Sequence, residues 1–307
     1  MKYVVFQASR KGGRPYNEDR VAYAYTDEAV LLVLCDGMGG HVRGDIASQL
    51  TAQVVSSLFQ SRAKPSLPDL PTFLLDAIYA AHDAINEYTQ RKRLPEPPRT
   101  TCVVCVVQQG IACWAHVGDS RLYRFNRHGF LSRTRDHSAV QQLFDDGIIS
   151  EDEMSTHPDR NKLYNSVGGY SLPDIELSQP TRLQAGDILV LCTDGVWPEL
   201  TPAEMFSTLR AYPLEKAVKH MMDHAEFRGG QHGDNLSMLA FRLGEERFKA
   251  DDLIQDETDL ALDGFTTQLN KITLKTNPPP VHDHELDQAM AEIKAAIAKF
   301  DHLNKPR

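Results

Sequence analysis

The chain has 307 residues, 41% of them hydrophobic and 24% charged, with a formal net charge of −9. That length permits one large domain or two small ones, and the composition is ordinary for a globular protein in water. The acidic excess argues against nonspecific attraction to nucleic acid or to an anionic membrane.

Tyr3-Val4-Val5-Phe6 is too short an apolar run for a secretory leader, so none is expected. The longest apolar stretches, such as Val30 to Cys35, are of strand length and do not reach a membrane span. Val21 to Tyr25 and Ala29 to Leu34 read as strands, broken by Asp36-Gly37-Met38-Gly39-Gly40. Ile46, Leu50, Val54 and Leu58 recur on one helical face. After a loop from Pro65 to Pro71, Leu74, Ile78, Ala81, Ile85 and Tyr88 predict a second amphipathic helix. Leu94-Pro95-Glu96-Pro97-Pro98 ends it, and Thr100 to Arg133 reads as a β-meander.

Ser138 to Pro158 is polar and helix-compatible, the best candidate for a mobile surface flap, taken as about 138–170. Asp187 to Cys192 reads as a buried strand running into Thr193-Asp194-Gly195. Helical sequence spans Pro202 to Phe227, and Leu236 to Leu243 is a last strand. After Gly244 the character changes. Asp251 to Asp263 is acidic without a basic residue, and Asn277-Pro278-Pro279-Pro280 is a stiff break. Leu286, Met290, Ile293, Ile297 and Phe300 then form a short heptad seam. The expected division is a core domain over 1–244, an acidic and proline-rich linker over 245–283, and an amphipathic helix over 284–303.

The five cysteines, Cys35, Cys102, Cys105, Cys113 and Cys192, all lie in apolar, strand-like segments. Cys102 and Cys105 are three apart, which on a strand points them to opposite faces. Buried free thiols are expected, and with them a reducing cytoplasmic compartment.

The carboxylates fall where chemistry would need them. Asp36 and Asp194 end apolar strands, Asp119 interrupts two β runs, Asp234 stands just before a strand, and Glu18 and Asp19 precede Val21. A single Asp-Gly after a strand is ordinarily a turn. If carboxylates at five strand ends converge, their repulsion costs several kcal/mol unless cations are bound. An all-oxygen donor set favours magnesium or manganese over zinc. The 12 histidines form no comparable set; His116 reads as a core residue and His137 as structural or near the flap.

Arg14-Pro15-Tyr16-Asn17-Glu18-Asp19, Asp36-Gly37-Met38-Gly39-Gly40, Gly118-Asp119-Ser120-Arg121, Asp136-His137-Ser138, Thr193-Asp194-Gly195 and Asp234-Asn235 occur in that order. Over roughly residues 3–243 the chain thereby resembles the metal-dependent protein phosphatases, the PPM or type 2C family, especially its compact bacterial members. The resemblance implies a four-layer α-β-β-α sandwich, two antiparallel sheets flanked by helices, with the metal site at one edge. It implies two or three manganese or magnesium ions per chain. Asp36 would bridge two of them, the Gly37 carbonyl would be a further ligand, and Asp194 and Asp234 would complete the first site. Asp119 with Asp194 would form a weaker third site. Glu18, Asp19 and Asn235 would support the ligands, and Arg14 would bind the substrate phosphate.

The implied reaction is hydrolysis of phosphoserine or phosphothreonine on proteins by direct attack of a metal-bridging hydroxide. Met38 stands where some relatives carry histidine, so the resemblance assigns no general acid. It implies a cytoplasmic setting opposing a serine/threonine kinase, with no nucleic-acid or membrane partner. The C-terminal helix is left to dock on the core domain, bind a regulator or pair with a second copy. The competing reading is a non-catalytic pseudophosphatase that recruits a partner through that helix.

Overall fold

The computed structural model describes residues 1–38, 43–154, 156–244, 254–258 and 267–269. In chain order the elements begin with β1 (Tyr3–Arg10), β2 (Arg20–Tyr25), β3 (Ala29–Cys35), α1 (Gly44–Arg62) and α2 (Leu70–Lys92). Next come β4 (Arg99–Thr100), β5 (Cys102–Gln108), β6 (Ile111–Val117), β7 (Arg121–Asn126) and β8 (Gly129–Arg133). The stretch expected as a flap holds α3 (Ala139–Asp145), α4 (Glu151–Met154) and β9 (Val167–Gly168). Then follow β10 (Glu176–Leu177), β11 (Thr181–Arg182), β12 (Ile188–Cys192), α5 (Pro202–Ala211), α6 (Leu214–Gly229) and β13 (Leu236–Leu243). Two short strands, β14 (Ile254–Thr258) and β15 (Thr267–Leu269), complete the set.

Strand alternation builds the layers. Every residue of β3 is buried: Ala29, Leu31, Val33 and Cys35 face α1 and α2, while Val30, Leu32 and Leu34 face the other sheet. β5 divides the same way, which puts Cys102 and Cys105 on opposite faces. All five cysteines are buried and free. On β12, Ile188, Val190 and Cys192 pack under α5 and α6, and Leu189 and Leu191 point between the sheets. The outcome is the expected α-β-β-α sandwich. One sheet runs β14-β1-β13-β12-β7-β8, the other β10-β6-β5-β3-β2-β15, with β11 also on β6. Among the described residues, pairing is antiparallel except for β14 on β1 and β15 on β2. No helix among them is long and apolar enough to cross a membrane.

The structure departs from the sequence reading in four places. β1 was not predicted, because Gln7 and Ser9 occupy its inner-facing positions and mask the alternation of Val5 with Phe6 and Ala8. The expected meander is split: β6 and β7 belong to different sheets, and the chain crosses between them at Gly118-Asp119-Ser120. The helical sequence over Pro202 to Phe227 divides into two helices, because Pro213 lacks an N–H and Tyr212 before it is extended at φ −129°, ψ 155°. The stretch expected as linker contributes β14 and β15 to the sheet edges. The helix expected over 284–303 lies outside the described residues.

Gln7 is buried, and neither polar atom of its amide has a hydrogen-bond partner among the described residues. Such a group costs about 1–3 kcal/mol relative to a satisfied one. Gln7→Leu should therefore raise the melting temperature by a few degrees, roughly 2–4 °C per kcal/mol for a domain of this size. A thermal melt showing a drop would overturn that reading.

Candidate active site

The sheet registers bring the carboxylates to one edge. In one sheet Arg20 pairs with Cys35, and Cys102 pairs with Val117. Asp19, Asp36, Thr101 and Asp119 sit one or two residues beyond that row. In the other sheet Cys192 pairs with Arg121 and Arg10 with Leu236, which places Asp194 and Asp234 two residues beyond. Asp36, Asp119, Asp194 and Asp234 line a cavity of about 290 Å³, with Arg14 and Glu18 at its wall. Gly37 and Asn235 also line it, and Asp19 lies buried behind it.

Each carboxylate is held by its own backbone. The Asp36 N–H donates to Thr101 Oγ1 at 3.0 Å, and its carbonyl accepts from the Thr101 N–H at 2.9 Å and the Thr100 hydroxyl at 2.7 Å. The Gly37 N–H donates to the Glu18 carbonyl at 3.2 Å, tying the first two motifs together. Asp119 follows Gly118 at φ +101°, a left-handed conformation suited to glycine. A Cβ on Gly118 would also lie 2.7 Å from the Thr101 side chain. Asp194 is brought against Asn235 because Gly195 lets the chains touch; a Cβ there would sit 2.0 Å from the Asn235 carbonyl. Asn235 acts as a clasp. Its Oδ1 accepts the Glu18 N–H, and its Nδ2 donates to the Lys11 and Tyr16 carbonyls, all at 2.8 Å. Arg14 Nη2 donates to Asp234 Oδ2 at 2.6 Å.

The electrostatics follow from crowding like charges at the edge of a core. Burial, reinforced by Asp19, Asp194, Asp119 and Asp234, holds the Asp36 carboxyl well above the usual carboxylate range. Asp119 is raised in the same way by burial, then by Asp194 and Asp136, against the pull of Arg121. Burial also pushes Asp19 up to about 7 and Asp194 up to about 6, with Asp234 adding to the latter. Glu18 is raised by burial and by Asp45, with Arg14 opposing.

These residues fit a hard divalent cation. The donors are all oxygens. Asp19 accepts the Thr193 hydroxyl on Oδ2 at 3.0 Å, yet its Oδ1 is buried without a hydrogen-bond partner among the described residues. That orphaned acceptor, and the raised carboxyl pKa values around it, are both relieved by positive charge at the cavity floor.

Sequence reasoning missed how Asp119 is braced. Arg121 forms a buried two-point pair with Asp136 at 2.8 and 2.6 Å. The guanidinium lies 3.5 Å over the Trp197 ring, and the Trp197 Nε1–H donates to the Asp119 carbonyl at 3.0 Å. Arg121 and Asp136 stood in recognised motifs, but nothing linked them. Trp197, like Asn161 and Leu163 of the flap on the cavity wall, carried no signal. His116, His137 and Glu176 also come together, outside the cavity.

The family described as Protein phosphatase 2C matches residues 8–235. The chain is 28% identical over 237 residues to the serine/threonine phosphatase stp of Listeria monocytogenes, 76% of this chain and 93% of that one. The solved serine/threonine phosphatase of S. agalactiae superposes with a TM-score of 0.69 at 27% identity, covering 78% of this chain and 99% of that one. The catalytic domain of PstP, solved in complex with 2 manganese ions, superposes with a TM-score of 0.65 at 26% identity. It covers 80% of this chain and 100% of its own.

Proposed function

The chain belongs to the protein phosphatase 2C family, and from that premise we propose that its carboxylate cleft hydrolyses phosphoserine and phosphothreonine on proteins. It is a metal-dependent phosphoprotein phosphatase of the bacterial type, and manganese or magnesium is its cofactor. The observation that carries the reading is the meeting of Asp36, Asp119, Asp194 and Asp234 beside Arg14 in one cavity.

Asp36 stands central to the cluster and would hold two ions. Asp194 and Asp234, with the Gly37 carbonyl, would complete the first site, and Asp119 with Asp194 would make a weaker third. When bound, the cations would lower the pKa of a water and offset the charge of the phosphate. Arg14 is aimed by its bond to Asp234, and its guanidinium keeps further donors for phosphate oxygens. Asn235 and buried Asp19 support this floor, and Glu18 shapes its wall. Met38 lines the cavity and offers no proton to the leaving oxygen.

The substrates are phosphorylated proteins, in a cytoplasmic pathway opposed by a serine/threonine kinase. Residues 1–244 make the catalytic unit with its flap at about 138–170, and the segment over 284–303 serves docking or partner binding. A pseudophosphatase would lack a core ligand, and none is missing.

Purified protein should release phosphate from a phosphothreonine peptide with manganese and not with EDTA. A folded protein that turns over at no manganese concentration would sink the proposal. Arg14→Lys should lower kcat/KM about ten- to a hundredfold, the scale of losing a two-point charged hydrogen bond. Its manganese titration should stay close to that of the parent. A large shift in that titration would instead make Arg14 a support of the metal ligands.

A further inference from the structure

His116, His137 and Glu176 have the look of a second cation site. The two rings stack at 4.8 Å, and Glu176 Oε2 lies 3.6 Å from His137 Nε2 and 4.0 Å from His116 Nε2. The hydrogen bonds decide otherwise. The Gly118 N–H points at His137 Nδ1 at 3.2 Å, and the Asn165 amide nitrogen lies 2.7 Å from the same atom. Asn165 is itself oriented, because its Oδ1 accepts the Asp174 N–H at 3.1 Å. His137 Nδ1 therefore holds the lone pair, and Nε2 carries the hydrogen toward Glu176. His116 Nε2 lies 2.7 Å from the Arg135 carbonyl, which only accepts, so that nitrogen carries a hydrogen too. Neither Nε2 has a lone pair for a metal.

The same bonds give His137 another task. It is joined twice to Gly118, by the side-chain bond and by its own N–H on the Gly118 carbonyl at 3.0 Å. Gly118 precedes Asp119 and adopts the left-handed region at φ +101°. Trp197 holds the next peptide along, at the Asp119 carbonyl. His137 also stands at the root of the flap. Its carbonyl accepts the Tyr164 N–H at 3.1 Å, and next to it the Ala139 N–H donates to the Lys162 carbonyl at 2.9 Å.

We propose that His137 is a positioning residue: through its Nδ1 acceptor it sets the Gly118-Asp119 backbone, and so the Asp119 carboxylate, in register with the root of the flap. This rests on the reading of Asp119 as a metal ligand.

The test uses the full chain, a phosphothreonine peptide and manganese titrations of activity, with thermal melts to establish folding. His137→Asn keeps an acceptor near the Nδ1 position. His137→Gln keeps a donor toward Glu176 and loses that acceptor. His137→Gln should raise the manganese concentration for half-maximal activity about tenfold, the scale for partners one bond removed from a ligand. At saturating manganese its kcat should recover, and His137→Asn should titrate within about twofold of the parent if the acceptor is what matters. Equal shifts in both variants, or none in His137→Gln, would overturn the positioning role. Asp119→Asn separates the two readings. If it leaves the titration unchanged, the ligand assignment itself fails. If it shifts the titration and His137→Gln does not, only the positioning role fails. In the Asp119→Asn background, His137→Gln should add nothing, and a further shift would place its effect elsewhere.

Discussion

Asp36→Asn is expected to lower phosphopeptide turnover by about a thousandfold or more and, in EDTA, to raise the melting temperature. The two effects have one cause. Asp36 carries the most crowded carboxylate of the cleft, held well above the usual range by burial and then by Asp19, Asp194, Asp119 and Asp234. Neutralising it removes a charge that the fold accommodates only at a cost, so the empty-handed variant should be more stable. An amide has one carbonyl oxygen and no charge, and it does not span two cations as a carboxylate does. A thousandfold loss corresponds to about 4 kcal/mol of transition-state stabilisation, a plausible share for the ligand common to two ions. Turnover, calorimetric manganese binding and thermal melts in EDTA check the prediction together. Retained activity would remove Asp36 from its bridging place. A lower melting temperature in EDTA would mean that the carboxylate is a net support of the fold.

This trade between activity and stability is also why the site was partly legible in the sequence. Strand ends carry their own signature: an apolar run such as Val30 to Cys35 stops at a carboxylate, as does Ile188 to Cys192 before Thr193-Asp194. What the local pattern lacks is register. Only the pairing of Arg20 with Cys35, Cys102 with Val117 and Cys192 with Arg121 puts those ends on one edge. Asp19 and Asn235 were legible as supports by resemblance alone, and the Asn235 clasp on Lys11, Tyr16 and Glu18 spans more than 200 residues of sequence. The bracing of Asp119 was not legible at all, because the Arg121–Asp136 pair and the Trp197 indole are non-local and leave no periodicity. β1 was hidden for an opposite reason. Its fold-defining alternation is present, but two polar side chains on the inner face, Gln7 and Ser9, look like surface. In both cases the missing information is which face of a strand meets which neighbour, and that is a property of the packed sheets.

The second large effect is on stability against pH, and its sign is the reverse of the usual one for carboxylates. Asp19 is pushed up to about 7 and Asp194 to about 6, chiefly by burial, from the ordinary carboxylate range near 4. Between roughly pH 4 and 7 the folded chain, without cations, therefore binds more protons than the unfolded chain. Their contribution to stability is fully present below about pH 4, falls as pH rises, and reaches its lowest value above the folded pKa. Manganese displaces those protons and supplies the missing positive charge, so it stabilises more as pH rises. Each proton displaced adds about 1.4 kcal/mol per pH unit to the manganese effect within that window. For a domain of this size that is roughly 3–6 °C per unit. His82 and His116 are both lowered by burial and titrate in the opposite sense nearby. Neither lines the cleft, so they cancel when melts in manganese and in EDTA are subtracted at each pH. Glu204, lowered to about 2 by Arg228, titrates beneath the window. The manganese-minus-EDTA difference in melting temperature should thus climb steadily from pH 5 to pH 7. A flat difference across that range would mean that the cleft carboxylates are already ionised without metal. The crowding that makes this cleft a metal site would then be offset by something other than protons or cations.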